Sequence, residues 1–203
     1  EPLENILNRA LTRAFDIVFS LMIILFVFSW LFPVLAILIK LESKGPIFFK
    51  QMRSGRDNHA FLCYKFRSMR INKDLEHKQA TLGDPRITKI GTFMRKTSLD
   101  ELPQFFNVLL GNMSVVGPRP HMLSHTEQYS QLIDQFMVRH FMKPGITGWA
   151  QINGLRGETR TTEAMLERVE ADVWYLENWT FLLDLKIVVN TLLKSITGDK
   201  NAY

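Results

Sequence analysis

The sequence predicts an α+β fold, mostly helical, with a small β-hairpin or sheet and a membrane-associated N-terminal helix. Three observations predict it. No charged residue occurs across residues 17–39. Two short β-prone runs, residues 47–53 and 60–66, flank the polar stretch Ser54-Gly-Arg-Asp-Asn-His59. Most remaining apolar residues recur at helical spacing.

A chain of 203 residues holds one domain with a real core and room for a small appendage. It opens on Glu1 rather than Met, as a portion of a longer protein would. The formal charge of +5 points to an anionic partner: nucleic acid, anionic lipid or a nucleotide. The single cysteine, Cys63, cannot form an internal disulfide and reads as a buried small residue.

Residues 1–16 place Leu3, Ile6, Leu7, Ala10, Leu11 and Ala14 on one helical face, suited to a membrane surface. The uncharged run that follows spans about 35 Å at ~1.5 Å per residue, more than the ~30 Å of a bilayer core. Pro33 inside it removes a backbone donor and favours a kink, and Ser29 can bond a freed carbonyl. Arg9 and Arg13 precede the run; Lys40, Lys44, Lys50, Arg53 and Arg56 follow it. Basic flanks stay cytoplasmic. Two readings stand level: a helix that bends near Pro33 and leaves by the face it entered, or a kinked crossing helix.

Ser43-Lys-Gly-Pro46 is a turn, and the hairpin follows, with Lys65 and Arg67 at the end of its second strand. Two such cations are ordinarily a solvated edge. Residues 71–84 are charged, a short helix or a loop. Residues 102–110 form a short helix stopped by Gly111, and 113–116 a strand stopped by Gly117-Pro-Arg-Pro120. That turn holds Arg119 in a rigid frame, although a surface turn is the commoner meaning. Residues 126–142 read as one amphipathic helix and 143–154 as a rigid, glycine-rich loop. In that loop, glycines would admit a ligand to the backbone, and Gln151 and Asn153 could read a base or sugar. Residues 156–160 are a polar loop. Helices are expected over 162–177, with Thr162 as cap, and over 180–196. Trp174, Tyr175, Trp179 and Phe181 suit either a headgroup belt or core packing.

Chemistry concentrates in Arg95-Lys-Thr-Ser-Leu-Asp-Glu-Leu-Pro103. Adjacent carboxylates beside basic and hydroxyl residues suit a phosphate held with a metal ion. Ser98-x-x-Glu101 equally fits a capping box, although Pro103 would disturb that helix. Locally the two readings are level. His121-x-x-x-His125 has zinc-ligand spacing but no third soft ligand. No P-loop, G-x-G-x-x-G or nucleic-acid reading module occurs.

In order, the chain carries Lys65-Phe-Arg-Ser-Met69, Arg95-Lys-Thr-Ser-Leu-Asp-Glu-Leu-Pro-Gln104, Val116-Gly-Pro-Arg-Pro120 and Pro144-Gly-Ile-Thr-Gly-Trp-Ala-Gln-Ile-Asn-Gly154. With the proline-containing apolar helix, these resemble the bacterial monotopic phosphoglycosyl transferases, or bacterial sugar transferases, over about residues 13–194. The resemblance implies transfer of a sugar-1-phosphate from a UDP-sugar donor to an undecaprenyl phosphate acceptor, with release of UMP and a requirement for Mg2+. It implies Asp100 as the nucleophile of a phosphosugar-enzyme intermediate and Glu101 beside it as a Mg2+ ligand, with Asp100 also at the metal. Lys65, Arg95 and Arg119 match basic motif positions suited to clamping phosphate, with Arg67, Gln151, Asn153 and Arg156 as further substrate contacts. It also implies a re-entrant helix: residues 1–42 enter the membrane and break near Pro33, and 43–203 form a catalytic domain on the cytoplasmic face of the bacterial inner membrane. Membrane lipids are then partners and nucleic acid is not; a homo-oligomer is left open.

His121-Met-Leu-Ser-His125, with Arg156-Gly-Glu-Thr159, is similar to long-form members that transfer glucose- or galactose-1-phosphate and carry further N-terminal helices and a domain. This chain would be their catalytic portion. It departs from small members at Leu155, where they have Arg directly after Asn-Gly, and Arg156 would take over that contact. A catalytically silent scaffold and a membrane phosphohydrolase are the alternatives.

Overall fold

The computed structural model describes residues 2–71, 81, 83–157 and 161–197. The charged 71–84 segment lies largely outside the described residues, as does 158–160 of the polar loop.

The first element is one long helical path. Helix α1 (Ile6–Ile23) starts at Asn5, whose side chain accepts from Leu7 N at 2.9 Å. A π-helical turn, Ile24–Phe28, leads into α2 (Ser29–Glu42). Together they make one apolar helix long enough to cross a membrane by length and composition. The path stays helical through Pro33, and its irregular turn comes earlier than the expected break. There Ser29 Oγ donates to Leu25 O at 2.6 Å and Trp30 Nε1 to Phe26 O at 2.8 Å. Side-chain donors thus serve carbonyls where the backbone ladder widens.

Both ends of this path are tied to the rest of the chain. Arg13 donates to Val108 O at 2.6 Å and Leu109 O at 2.8 Å, carbonyls in the last turn of α4 (Gln104–Leu110). Asp16, buried, accepts from Ser114 Oγ at 2.9 Å and Val115 N at 2.8 Å. At the far end Glu42 accepts from Lys89 N at 2.6 Å and Ile90 N at 2.9 Å. It supplies a negative cap to α3 (Lys89–Lys96). Between these ties Phe28 and Phe32 stack with Phe48 and Phe66 at centroid distances of 5.3–6.1 Å.

The hairpin is as expected: β1 (Phe48–Ser54) pairs antiparallel with β2 (Ala60–Phe66), from Phe48 opposite Phe66 to Ser54 opposite Ala60. A second pair was not foreseen. Strand β3 (Ser114–Val116) runs parallel to β4 (Gly145–Thr147), and β4 leads into the short helix α6 (Trp149–Ile152). The expected glycine loop is therefore a strand and a helical turn. A Cβ at Gly145 would lie 2.1 Å from Gly117 N, and one at Gly148 2.2 Å from Gly117 O. These glycines let two backbones meet.

The helix expected over 126–142 is broken into α5 (Leu123–Ser130) and a 3-10 segment, Phe136–Phe141. Tyr129, Ile133 and Phe136 have helical spacing and pack together with Met165 and Val169. The 3-10 segment also buries Arg139 and His140. Helix α7 (Thr162–Glu177) is capped one residue earlier than expected, by Thr161 accepting from Ala164 N at 3.2 Å. Helix α8 (Phe181–Thr197) closes the fold. Tyr175 and Trp179 are core residues; Tyr175 Oη and Trp179 Nε1 donate to buried Asp184 at 2.5 and 2.9 Å. Trp174 stacks on Trp149 with centroids 4.6 Å apart.

Candidate active site

The Asp-Glu pair sits where three connections meet. Helix α3 ends at Thr97, and Ser98 takes the left-handed conformation at φ 59°. For a residue with a Cβ this is a sparsely populated region. The turn sends the chain into a 3-10 segment, Leu99–Glu101, and α4 begins only after Pro103. The capping-box reading therefore fails: the Ser98 side chain caps no helix. Its Oγ accepts instead from Arg156 Nη1 at 2.8 Å.

Asp100 and Glu101 are both buried, with relative exposures of 5% and 4%. Their environments differ. Glu101 Oε1 receives Lys65 Nζ at 2.8 Å, from the end of β2, and Arg119 Nη2 at 2.7 Å, from the Pro-flanked turn. Arg156 Nη2 lies 3.6 Å from Oε2. Burial alone would raise the Glu101 carboxyl, but Arg119, Lys65 and Arg156 together hold it well below the usual carboxylate range. Asp100 Oδ1, by contrast, has no hydrogen-bond partner among the described residues. Burial pushes the Asp100 carboxyl above the ordinary aspartate value; Lys65, Arg95 and Arg156 pull against it and Glu101 adds to it. A poorly solvated carboxylate oxygen inside a ring of cations is suited to attack on an anionic centre.

Arg119 is braced through its own backbone. Arg139 Nη2 donates to Arg119 O at 2.8 Å, Arg53 Nη1 to Pro120 O at 3.4 Å, and Ser54 N to His121 O at 3.0 Å. Arg139 also pairs with Asp172 of α7 at 2.8 Å, and both side chains are almost fully enclosed. Sequence reasoning missed Arg53, Arg139 and Asp172 as parts of the site. Arg139 lay inside a segment read as one amphipathic helix, and nothing local marks Asp172. Arg139 Nη1 also sits 2.9 Å from the ring nitrogens of His121, so a guanidinium stands where a zinc reading would need a metal.

The other expected contacts divide. Arg95 stands near Asp100, whose charge acts on its guanidinium, and its Nε donates to Ser68 Oγ at 3.1 Å. Arg67 points elsewhere and bonds Lys44 O at 2.7 Å and Ser43 O at 2.8 Å, fixing the turn after α2. Asn153 is exposed and bonds Trp149 O at 2.9 Å within its own turn. Gln151 is buried; its Nε2 donates to Ile146 O at 2.9 Å, while its Oε1 has no partner among the described residues. It lines a cleft that opens from Ser98, Glu101 and Arg156 toward Thr191 and Lys194 of α8.

No group of three or more His, Cys, Asp or Glu is placed to hold a metal among the described residues. The dyad still fits Mg2+, which is commonly held by one or two carboxylates together with substrate phosphates and water. The unpartnered Asp100 Oδ1 and the adjacent Glu101 carboxylate are oxygen donors of the kind such an ion takes.

The family model described as bacterial sugar transferase matches residues 7–198. The chain is 52% identical over 203 residues to an Escherichia coli K12 protein named UDP-glucose:undecaprenyl-phosphate glucose-1-phosphate transferase, covering 100% of this chain and 43% of that one. It is 44% identical over 199 residues to the exopolysaccharide production protein PSS of Rhizobium leguminosarum bv. phaseoli, covering 96% of this chain and 99% of that relative. An Aeromonas hydrophila relative, 44% identical over 172 residues, is named UDP-N-acetylgalactosamine-undecaprenyl-phosphate N-acetylgalactosaminephosphotransferase; the match covers 84% of this chain and 40% of that one. The chain thus spans less than half the length of the E. coli and Aeromonas relatives.

Proposed function

The chain belongs to the bacterial sugar transferase family, and from that premise we propose that it transfers a sugar-1-phosphate from a UDP-sugar to undecaprenyl phosphate. The observation that carries the proposal is the buried, unpartnered Asp100 Oδ1 beside a Glu101 whose charge is already compensated.

Asp100 attacks the phosphorus that bears the sugar. A bond forms from Asp100 oxygen to that phosphorus, and the bond to the bridging oxygen breaks. UMP leaves with the electron pair. An oxygen of the lipid phosphate then attacks the same phosphorus, the bond to Asp100 breaks, and the carboxylate is regenerated. Lys65, Arg119 and Arg156, held on Glu101 before substrate arrives, stand within reach of a diphosphate. Arg forks suit phosphate oxygens and Lys acts as a point charge. Arg95 opposes the charge on Asp100. Mg2+ on the two carboxylates would supply Lewis-acid stabilisation of charge on the phosphates and the leaving group.

A covalent intermediate lets a soluble donor and a lipid acceptor use one site in turn. Residues 1–42 are the membrane element and 43–203 the catalytic domain, at the cytoplasmic face of the inner membrane. A re-entrant path is supported by the ties of Asp16 and Glu42 to the same domain. A helix crossing the bilayer between them would put those two residues on opposite sides. The transferred sugar is glucose or galactose, a reading that rests on the E. coli relative's name and on His121-Met-Leu-Ser-His125.

The test is UMP release from a panel of UDP-sugars with Mg2+, with and without undecaprenyl phosphate. Sustained release that requires the lipid supports transfer. Sustained release without it favours a phosphohydrolase, and no release from any donor favours a silent scaffold.

A further inference from the structure

The geometry points to the cleft between α6 and α8 as the seat of the lipid acceptor's phosphate, with Lys194 as its ligand. This inference rests on the proposed transferase reading and assigns one half-reaction to one set of residues.

The cleft reaches the dyad from one side only. Its walls include Ser98, Glu101 and Arg156, then Gln151, Thr191 and Lys194. Asp100, Lys65, Arg95 and Arg119 are not among its lining residues. The cleft is therefore an approach to the dyad along α8, apart from the Lys65, Arg95 and Arg119 cations.

This approach lies against a surface built for a bilayer. Leu182, Leu185, Val189, Leu192 and Leu193 of α8 are all exposed. At 3.6 residues per turn they share one face, while Thr191 and Lys194 project from the other. Helix α8 begins against α1, with Phe181 edge-on to Phe15 at 5.6 Å. Ile17, Val18, Leu21 and Met22 of α1 are exposed as well. An interfacial helix buries its apolar face about 5–10 Å into the headgroup boundary. Its opposite face, about 10 Å away, then stands at the level of lipid phosphates.

The charge at that level is positive. Lys194 Nζ donates to Ile152 O at 2.7 Å and has no carboxylate partner among the described residues. An ammonium has further protons to give. Leu102, Phe105 and Ile152 supply apolar wall beside it. A phosphomonoester on a long prenyl chain matches this combination; a soluble nucleotide has no use for the exposed leucines.

In the step assigned here, the acceptor's phosphate oxygen, held by Lys194, attacks the phosphorus bound to Asp100. The new bond makes the lipid diphosphosugar, and the bond to Asp100 breaks with its electron pair returning to the carboxylate.

The half-reactions test this. The burst of UMP formed by enzyme, UDP-sugar and Mg2+ without lipid reads donor chemistry. Discharge of the preformed adduct by undecaprenyl phosphate in mixed micelles reads acceptor chemistry. Lys194→Gln is expected to raise the lipid concentration for half-maximal discharge about tenfold or more, the loss of one charge-assisted hydrogen bond. The burst should stay within about twofold, and Lys194→Arg should recover much of the discharge. Equal slowing of burst and discharge, or discharge by Lys194→Gln at the wild-type rate, overturns the assignment. On wild-type enzyme, a polyprenyl phosphate with a photoreactive group in its first isoprene unit should label the segments 146–156 or 182–195. Label confined to other segments also overturns it. A wild-type enzyme that gives no burst instead refutes the covalent reading beneath it.

Discussion

Asp100 and Glu101 are neighbours in the chain, equally buried, and oppositely treated: Glu101 is met by Lys65 and Arg119 at 2.8 and 2.7 Å, while Asp100 Oδ1 is left without a partner. A buried carboxylate oxygen with no partner is costly. The surrounding cations offset that cost and leave the atom free for a ligand or an electrophile.

The acid limb of the first half-reaction should follow Asp100. Attack needs the carboxylate, and burial raises its folded pKa above 3.8, so the UMP burst is lost as pH falls through that raised value. Lys65 opposes the rise. Lys65→Met should therefore move the acid limb to higher pH as well as slow the burst. Burst rates across pH for both proteins check this; a limb that stays or moves lower removes Lys65 from the electrostatics of Asp100.

The Arg139–Asp172 pair should behave as a buried unit. Arg139→Met leaves Asp172 enclosed without its ion-pair partner, with only the more distant charge of Arg168 acting on it, and removes a donor from Arg119 O. Breaking a buried pair costs about 3–5 kcal/mol. Adding Asp172→Asn should restore part of that stability, a non-additivity readable by thermal unfolding in detergent. Strictly additive losses would mean the pair is not coupled.

Asp184 should make stability depend on pH. Its folded pKa is pushed up to about 6 by burial, which Tyr175 and Trp179 only partly offset. The folded state then holds a proton that the unfolded state releases earlier, so stability falls as pH rises from about 4 to 6. The fall amounts to about 3 kcal/mol from this group alone. Asp184→Asn should flatten this part of the profile. A variant whose melting temperature tracks the wild type across pH 4 to 7 would contradict the assignment.

Both ends of the apolar helix should lie on one side of the membrane. In a background where Cys63, which is buried, is replaced by Ala, single cysteines at Glu4 and at Lys44 should both resist an impermeant thiol reagent in intact cells. Both should react in inverted vesicles. Labelling of either one from outside would show a crossing helix.

Much of this was legible in the residues. The uncharged run 17–39, the hairpin and the short α4 announce themselves by local pattern, and the hairpin carries Lys65 to the dyad. What local pattern could not give is whatever a distant contact decides. Ser98 looked like a cap because its spacing to Glu101 is right; instead it turns left-handed and binds Arg156, 58 residues on. Arg67 shares a motif with Lys65, yet it serves the carbonyls of Ser43 and Lys44. The glycines of residues 145–148 looked open to a ligand, but their missing Cβ atoms admit Gly117. Arg53, Arg139 and Asp172 carry no local signal, because their roles lie in carbonyls and charges contributed by other elements.

The central claim is that Asp100 is the nucleophile. Enzyme incubated with a UDP-sugar and Mg2+ but no lipid, then quenched and digested, should yield one phosphosugar-bearing peptide, modified at Asp100, with about one UMP released per adduct. Asp100→Asn should form no adduct and lose turnover by roughly 10^4-fold or more, while Glu101→Gln is expected to retain only a trace. An adduct on any other residue, or sustained transfer by Asp100→Asn, would contradict the account.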